Sequence, residues 1–241
     1  MTLRLDFVRK MSQAESLCIK YMEKKQVFLV EDIKVKDPIC IFREWLDDAL
    51  KSEETQKPKV GCLATASSDG RPSNRFVVVK DVTDKGFTFF ANYGSRKAQE
   101  IACNPNVALS FYWCPLRRSV RIEGIAEKIP QAESEAFFKA RPRAIQIGDF
   151  VSDQISCIAS RQHLDLIESE IKAKLGDAKD VPMPNWGGYL IRPRQMEFWQ
   201  GHADRLHDRI RFRKAEDLQE HADGKLTHKG DNGWVYERLA P

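Results

Sequence analysis

The sequence predicts a mainly β chain of the α+β class, a small antiparallel barrel with flanking helices. Three observations predict it. Short β-rich runs bounded by turn residues extend from Val60 to Glu127, a helical block occupies residues 131–176, and strand-like runs return after the proline-containing loop Val181 to Asn185.

Taken in order, Asp37-Pro38 supplies an N-cap and a proline at the first turn of a helix, and Ile39, Phe42, Trp45, Leu46 and Leu50 follow at helical spacing. Val60 to Ala66 and Asn74 to Lys80 flank Ser68-Asp69-Gly70, a hairpin signal, and Gly86 to Ala91 adds a third strand. A helix from Ser95 to Cys103 ends at Asn104-Pro105. Strands at Val107 to Trp113 and Ser119 to Glu127 bring the count to about five, with one short helix among them. Helical segments are expected at Ala132 to Ala140, around Ala144 to Val151, and at Arg161 to Leu175. Strands then return at Tyr189 to Arg192, Gln195 to Gln200, Leu206 to Arg213 and Trp234 to Arg238. Residues 1–36 read as an arm with a short helix near Ser16 to Lys24, and no internal repeat is visible.

The 241 residues suffice to bury a core without disulfides or metal, and one domain is the default. The chain is 42% hydrophobic and 31% charged, and no apolar run approaches the roughly 20 residues a membrane span needs. Residues 1–13 lack the continuous apolar core of a secretory signal, which leads to the expectation of a cytoplasmic protein. Six cysteines without a Cys-x-x-Cys pair, or a His at zinc-finger spacing, read as reduced thiols with no metal site. The formal charge of +4 arises from 39 basic and 35 acidic residues that interleave, which suits a small anionic ligand better than a nucleic-acid backbone.

Four groups of residues carry possible chemistry. If residues 206–213 form a regular strand, Arg205, His207, Arg209 and Arg211 share one face, and Leu206, Ile210 and Phe212 the other. Same-face neighbours about 6.6 Å apart repel by about 0.6 to 2.5 kcal/mol as cations, which an anion would offset. The alternative is a solvated outer face. Asp208 falls on the apolar side with no evident partner. Arg75 and Lys80 bracket Phe76-Val77-Val78-Val79 on opposite faces of a regular strand, so a strand end or bulge is required if both serve one site. Ser95-Arg96-Lys97 opens a helix, where free N–H groups and two cations suit a phosphate; a plain Ser95 N-cap is the alternative. Gln154 and Trp199 offer an amide for hydrogen bonding and an indole for stacking on a planar ligand, although a buried Trp is usually core, and Arg141-Pro142 reads equally as a helix break. No Ser-His-Asp signature, P-loop or His-Glu-x-x-His motif appears, so hydrolase chemistry has no support.

Phe198-Trp199-Gln200-Gly201 followed by Arg205-Leu206-His207-Asp208-Arg209, Ser95-Arg96-Lys97 after Phe89-Phe90-Ala91-Asn92, Trp186-Gly187-Gly188-Tyr189, and the terminal Glu237-Arg238-Leu239-Ala240-Pro241 resemble the pyridoxine (pyridoxamine) 5'-phosphate oxidases. The similarity runs from about Asp37 to Pro241, in order and with compatible spacing.

The resemblance implies a homodimer of FMN-binding split barrels of Greek-key antiparallel type, with flavin at the subunit interface. It implies one domain over 37–241, with 131–176 as its helical segment and 186–241 as a dimerisation region. It also implies that FMN is held by Arg75, Phe76, Val77, Val78, Phe90, Ala91, Arg96, Lys97, Gln154, Trp199 and Arg209, with Ser119 standing where the family usually has a Gln. The substrate phosphate would meet Lys80 and Arg141, with Phe137 and Ile145 where the family has Tyr and Ser. Each hydrogen bond lost there would cost roughly 1.5 to 3 kcal/mol. Arg205, Leu206 and His207 would meet the pyridine ring, with Arg205 and His207 catalytic. The implied reaction converts pyridoxine or pyridoxamine 5'-phosphate to pyridoxal 5'-phosphate, with oxygen as acceptor and hydrogen peroxide released. In the arm, Cys18 stands in place of a family Arg and Tyr21 matches. The rival expectation is a non-catalytic paralogue that binds FMN or pyridoxal 5'-phosphate.

Overall fold

Asp37 and Pro38 start the first helix as their order demands. In the computed structural model, α1 (Pro38–Lys51) has proline in its first turn, where no N–H partner is needed, and the Asp37 carboxylate accepts from the Ile39 N–H at 2.7 Å. The structure describes residues 27–152, 154, 156–176, 180–217 and 222–241. The expected helix near Ser16 to Lys24, and Cys18 and Tyr21, lie outside the described residues.

The chain divides into two compact units: residues 56–111 with 121–195, and residues 1–55 with 112–120 and 196–241. The first is a barrel. Its strands are β1 (Val60–Ala66), β2 (Pro72–Thr83), β3 (Gly86–Asn92), β4 (Asn106–Trp113), β5 (Arg118–Lys128) and β6 (Trp186–Gln200). They follow the order β3-β2-β1-β4-β5-β6, and β6 pairs back antiparallel on β3 from Phe87↔Ile191 to Asn92↔Trp186, which closes the barrel. Closure removes the sheet edges. Alternating inward residues fill the interior: Leu63, Val79, Phe87, Phe89, Leu109, Phe111, Ile122 and Ile191 are all buried.

Two glycines permit the closure. A Cβ on Gly86, whose φ is +139°, would fall 1.9 Å from the Ile191 carbonyl oxygen, and one on Gly124 would fall 2.1 Å from that of Arg192. Gly124 also lets the β5 backbone approach Pro193. This explains a departure from expectation: Tyr189 to Arg192 and Gln195 to Gln200 form one strand, because burial continues to alternate through Arg192, Pro193 and Arg194. The hairpin at Ser68-Asp69-Gly70 is present, with the Gly70 N–H donating to the Ser67 carbonyl at 2.9 Å. β2 extends beyond Asn74 to Lys80 at both ends, and its pairing with β3 shifts register between Val79 and Asp81.

Four helices accompany the barrel: α2 (Arg96–Cys103), α3 (Gln131–Lys139), α4 (Arg143–Val151) and α5 (Arg161–Leu175), each within about a residue of its expected bounds. A core of Phe138, Ile147, Val181 and Trp186 packs there, with Phe90 and Phe137 against it.

The second unit holds α1 and the last third of β6, with β7 (Asp208–Lys214), β9 (Trp234–Leu239) and β8 (Thr227–Lys229) in the order β6-β7-β9-β8. β8, three residues long, is too short to register as a sequence pattern. Trp45 of α1 meets Phe198 edge-on at 5.2 Å, and Phe198 meets Phe212 at 6.0 Å, so the apolar faces of α1, β6 and β7 share one core. β7 begins at Asp208, two residues later than expected.

Candidate functional site

In the barrel unit, α2 begins immediately after β3, and the turn gathers cations. Ser95 is the N-cap by position and only 2% exposed, yet its side chain makes no capping bond; its hydroxyl instead accepts from Lys97 Nζ at 3.2 Å. Lys97 Nζ also donates to Gln154 Oε1 at 2.8 Å, which joins two residues 57 positions apart in sequence. Burial, followed by the charge of Arg75, lowers the Lys97 pKa.

Arg75 and Arg96 converge on Glu100. Arg96 Nε lies 2.8 Å from Glu100 Oε1 one helical turn on, and Arg75 Nη2 lies 3.3 Å from Oε2. Ser73 Oγ and Thr65 Oγ1 donate to the same carboxylate oxygen, and Arg75 donates to both hydroxyls. Burial alone would raise the Glu100 pKa; the hydrogen bonds from Ser73, Thr65 and Arg96 outweigh it and hold the group at about 2. Three cations thus stand against one carboxylate, which leaves a local charge near that of a phosphate dianion with opposite sign.

On β2, the side of the strand opposite Arg75, Val77 and Val79 is open: Phe76 is 76% exposed and Val78 43%. Lys80 is exposed at the register shift, so the irregularity required for Arg75 and Lys80 to serve one site is present. Phe90 joins a cluster of three nearly parallel rings, 4.1 Å from Phe137 and 4.9 Å from Trp186, which lie 6.3 Å from each other, and Ala91 beside it is buried. Phe137 therefore spends its ring on packing. Ile145 on α4 is half exposed. Arg141, in the turn between α3 and α4, pairs through Nη2 with Asp149 and lies over Trp186 at 4.2 Å. The buried Gln146 amide donates to the carbonyls of Phe138, Lys139 and Arg141 and pins that turn.

In the other unit, residues 201–207 form a turn before β7. Arg205 adopts a left-handed φ of 62°, a conformation costing a non-glycine residue about 1 to 2 kcal/mol. Arg205 and His207 thus precede the strand, and the expected single face carrying Arg205, His207, Arg209 and Arg211 is corrected: only Arg209, Arg211 and Arg213 occupy it. Their charges are offset from within the chain, Arg209 by Glu197 at 2.8 Å, and Arg211 and Arg213 by Glu237 at 2.6 and 2.9 Å. Arg209 also donates to the Ala240 carbonyl.

His207 packs on Trp199 at 4.8 Å, and its Nδ1 accepts the His202 N–H at 3.0 Å. Burial, then the nearby His202 and Arg205 charges, lower the His207 pKa against the opposing charge of Asp204. Asp208, without an evident partner in the sequence, has three. It accepts from the Phe28 N–H at 2.9 Å, meets His202 Nε2 at 2.7 Å and pairs with Arg238 at 2.7 Å. Ser119 is half-buried on β5, and Leu206 is 66% exposed.

Comparison with known proteins decides the family. Residues 46–173 match the model described as pyridoxamine 5'-phosphate oxidase, and residues 186–241 match the pyridoxine 5'-phosphate oxidase C-terminal dimerisation region. The chain belongs to the pyridoxamine 5'-phosphate oxidase family. It is 45% identical over 240 residues to the pyridoxine/pyridoxamine 5'-phosphate oxidase of Bombyx mori, covering 98% of this chain and 93% of that one. It is 44% identical over 206 residues to the pyridoxine-5'-phosphate oxidase of Bos taurus, covering 85% and 78%. Among solved structures, PhzG from Burkholderia lata 383 in complex with tetrahydrophenazine-1-carboxylic acid superposes with a TM-score of 0.76 at 28% identity, covering 91% of this chain and all of the other.

Against this oxidase framework, several residues at the site were not singled out by sequence: Glu100, Asp149, Glu197 and His202. Glu100 carried one usable signal, its i+4 spacing from Arg96. Asp149 lies eight residues from Arg141 across a helix break, and Glu197 meets Arg209 across neighbouring strands, so neither spacing is diagnostic. His202 acts on His207 through its backbone, which residue type does not reveal.

Proposed function

We propose that the protein oxidises pyridoxine 5'-phosphate and pyridoxamine 5'-phosphate to pyridoxal 5'-phosphate, with FMN as cofactor and oxygen as acceptor. The observation that carries the reading is the 45% identity to the Bombyx mori oxidase along nearly the whole of both chains. The residues present fit the cofactor: Arg75, Arg96 and Lys97 exceed the single Glu100 carboxylate by two charges, and the Ser95 side chain leaves the start of α2 uncapped. On this reading Arg75, Arg96 and Lys97 hold the flavin phosphate, and Gln154 and Phe76 to Val78 lie along the ring system. Phe90, Ala91, Ser119, Trp199 and Arg209 complete the set.

When bound, FMN would supply a two-electron acceptor that oxygen reoxidises with release of hydrogen peroxide; the alcohol of pyridoxine 5'-phosphate would give the aldehyde directly, and the amine of pyridoxamine 5'-phosphate would consume water and release ammonia. The chain's own residues orient the substrate. With Nδ1 of His207 engaged by a donor, a neutral ring carries its proton on Nε2 and presents it as a donor. Arg205 and His207 hold the ring and the carbon being oxidised, and Lys80 and Arg141 face the phosphate. The C-terminal segment 186–241 serves a homodimer, a role supported by its match to a dimerisation region. A cytoplasmic setting is supported by free thiols at Cys40, Cys62, Cys103, Cys114 and Cys157; among the described residues no helix is long and apolar enough to cross a membrane.

Purified protein tests the reading directly. Peroxide release in step with pyridoxal 5'-phosphate formation is expected on adding either phosphorylated vitamer in air. A flavin-loaded protein that forms neither product would overturn the reading in favour of the non-catalytic paralogue.

A further inference from the structure

Arg141 is not waiting for an anion. Its Nη2 is already paired with the Asp149 carboxylate, the two side chains being only 17% and 22% exposed. The guanidinium is flattened against Trp186 at 4.2 Å and Phe138 at 5.1 Å, and Gln146 fixes the backbone that carries it by bonding three carbonyls of the turn. Rotation away from Asp149 would forfeit those aromatic contacts. Its Nε is buried and has no hydrogen-bond partner.

The neighbouring positions add no polar recognition. Phe137 has no hydroxyl and is committed to the stack with Phe90 and Trp186, and Ile145 offers only hydrocarbon. A phosphate approaching Arg141 therefore meets a guanidinium whose charge is already neutralised, beside a carboxylate that repels it.

We propose that Asp149 is a specificity-determining residue. By occupying the Arg141 guanidinium in the manner of a bound anion, it lowers the protein's preference for phosphorylated over unphosphorylated substrate. The proposal rests on the reading of Arg141 as a substrate-facing residue. It differs from an ordinary structural ion pair in its consequence: a structural pair, once broken, changes stability, whereas this one changes the ratio of two affinities.

The test is equilibrium binding of pyridoxal 5'-phosphate and of pyridoxal to the FMN-loaded protein, followed by intrinsic tryptophan fluorescence, for the wild type, D149N and D149S. D149N is expected to tighten pyridoxal 5'-phosphate by about tenfold or more and to leave pyridoxal within about twofold, because only the phosphate senses the freed guanidinium. D149S reads the same ratio should D149N fail to fold. R141M should then abolish the gain in the D149N background. An unchanged ratio of the two dissociation constants, or weaker phosphate binding in D149N and D149S, overturns the proposal. The outcome is separable from the oxidase reading. A shifted ratio without turnover removes the oxidase and leaves Asp149 as a determinant of ligand choice; turnover with an unshifted ratio does the reverse.

Discussion

The backbone N–H of His202 donates to Nδ1 of His207 across 3.0 Å, while the His202 ring itself is held by Asp208 at 2.7 Å. One carboxylate thus fixes a loop, and the loop fixes the tautomer of the ring proposed to face the substrate.

A pH dependence follows from this. The His207 pKa is lowered, mainly by burial, so the ring stays neutral to a pH below the ordinary 6.5. If the neutral ring is the working form, the acidic limb of kcat/KM falls below pH 6.5. D204N, which removes the charge opposing the shift, moves the limb lower still. A pH–rate profile checks both, with the His207 ring shifts in NMR as an independent readout.

Asp208 ties Phe28, His202 and Arg238 together, so D208A leaves three partners unanswered. A loss of roughly 1.5 to 3 kcal/mol for a single charged hydrogen bond sets the lower end of the expected cost. Chemical denaturation measures it, and R238A should cost less because its side chain is 40% exposed.

Glu100 governs acid stability in the barrel unit. Its pKa is depressed from 4.5 to about 2, so its contribution is complete above pH 4.5 and is lost as pH falls from there toward 2. E100Q should remove that part of the acid dependence and cost roughly 1.5 to 3 kcal/mol at neutral pH. Urea midpoints from about pH 2 to about pH 7 distinguish the two effects.

Lys97 joins Ser95 and Gln154 at the proposed flavin phosphate site. K97M should weaken FMN by about 10- to 150-fold, the equivalent of one charge-assisted hydrogen bond, as read by flavin fluorescence titration of the apoprotein.

The barrel was legible because short β-rich runs lie between turn residues and buried side chains alternate along β1, β4 and most of β5, and α1 because Asp37, Pro38 and the apolar spacing of Ile39, Phe42 and Trp45 agree. Pro193 misled because a proline inside a strand is tolerated where a glycine, here Gly124, admits its backbone. The cationic start of α2 was visible as Arg96-Lys97. Of the answering carboxylates only Glu100 left a signal, its i+4 spacing from Arg96; Glu197 and Asp149 take their roles from tertiary approach. The supposed face from Arg205 to Arg211 failed for a local reason: Arg205 is left-handed, which ends the strand alternation before it reaches the residues of interest.

Anaerobic mixing of the FMN-loaded protein with pyridoxine 5'-phosphate tests the central claim most directly. The account predicts loss of the visible absorbance of oxidised flavin, matched by pyridoxal 5'-phosphate and reversed by oxygen with release of peroxide. Flavin that stays oxidised with both pyridoxine and pyridoxamine 5'-phosphate would contradict it.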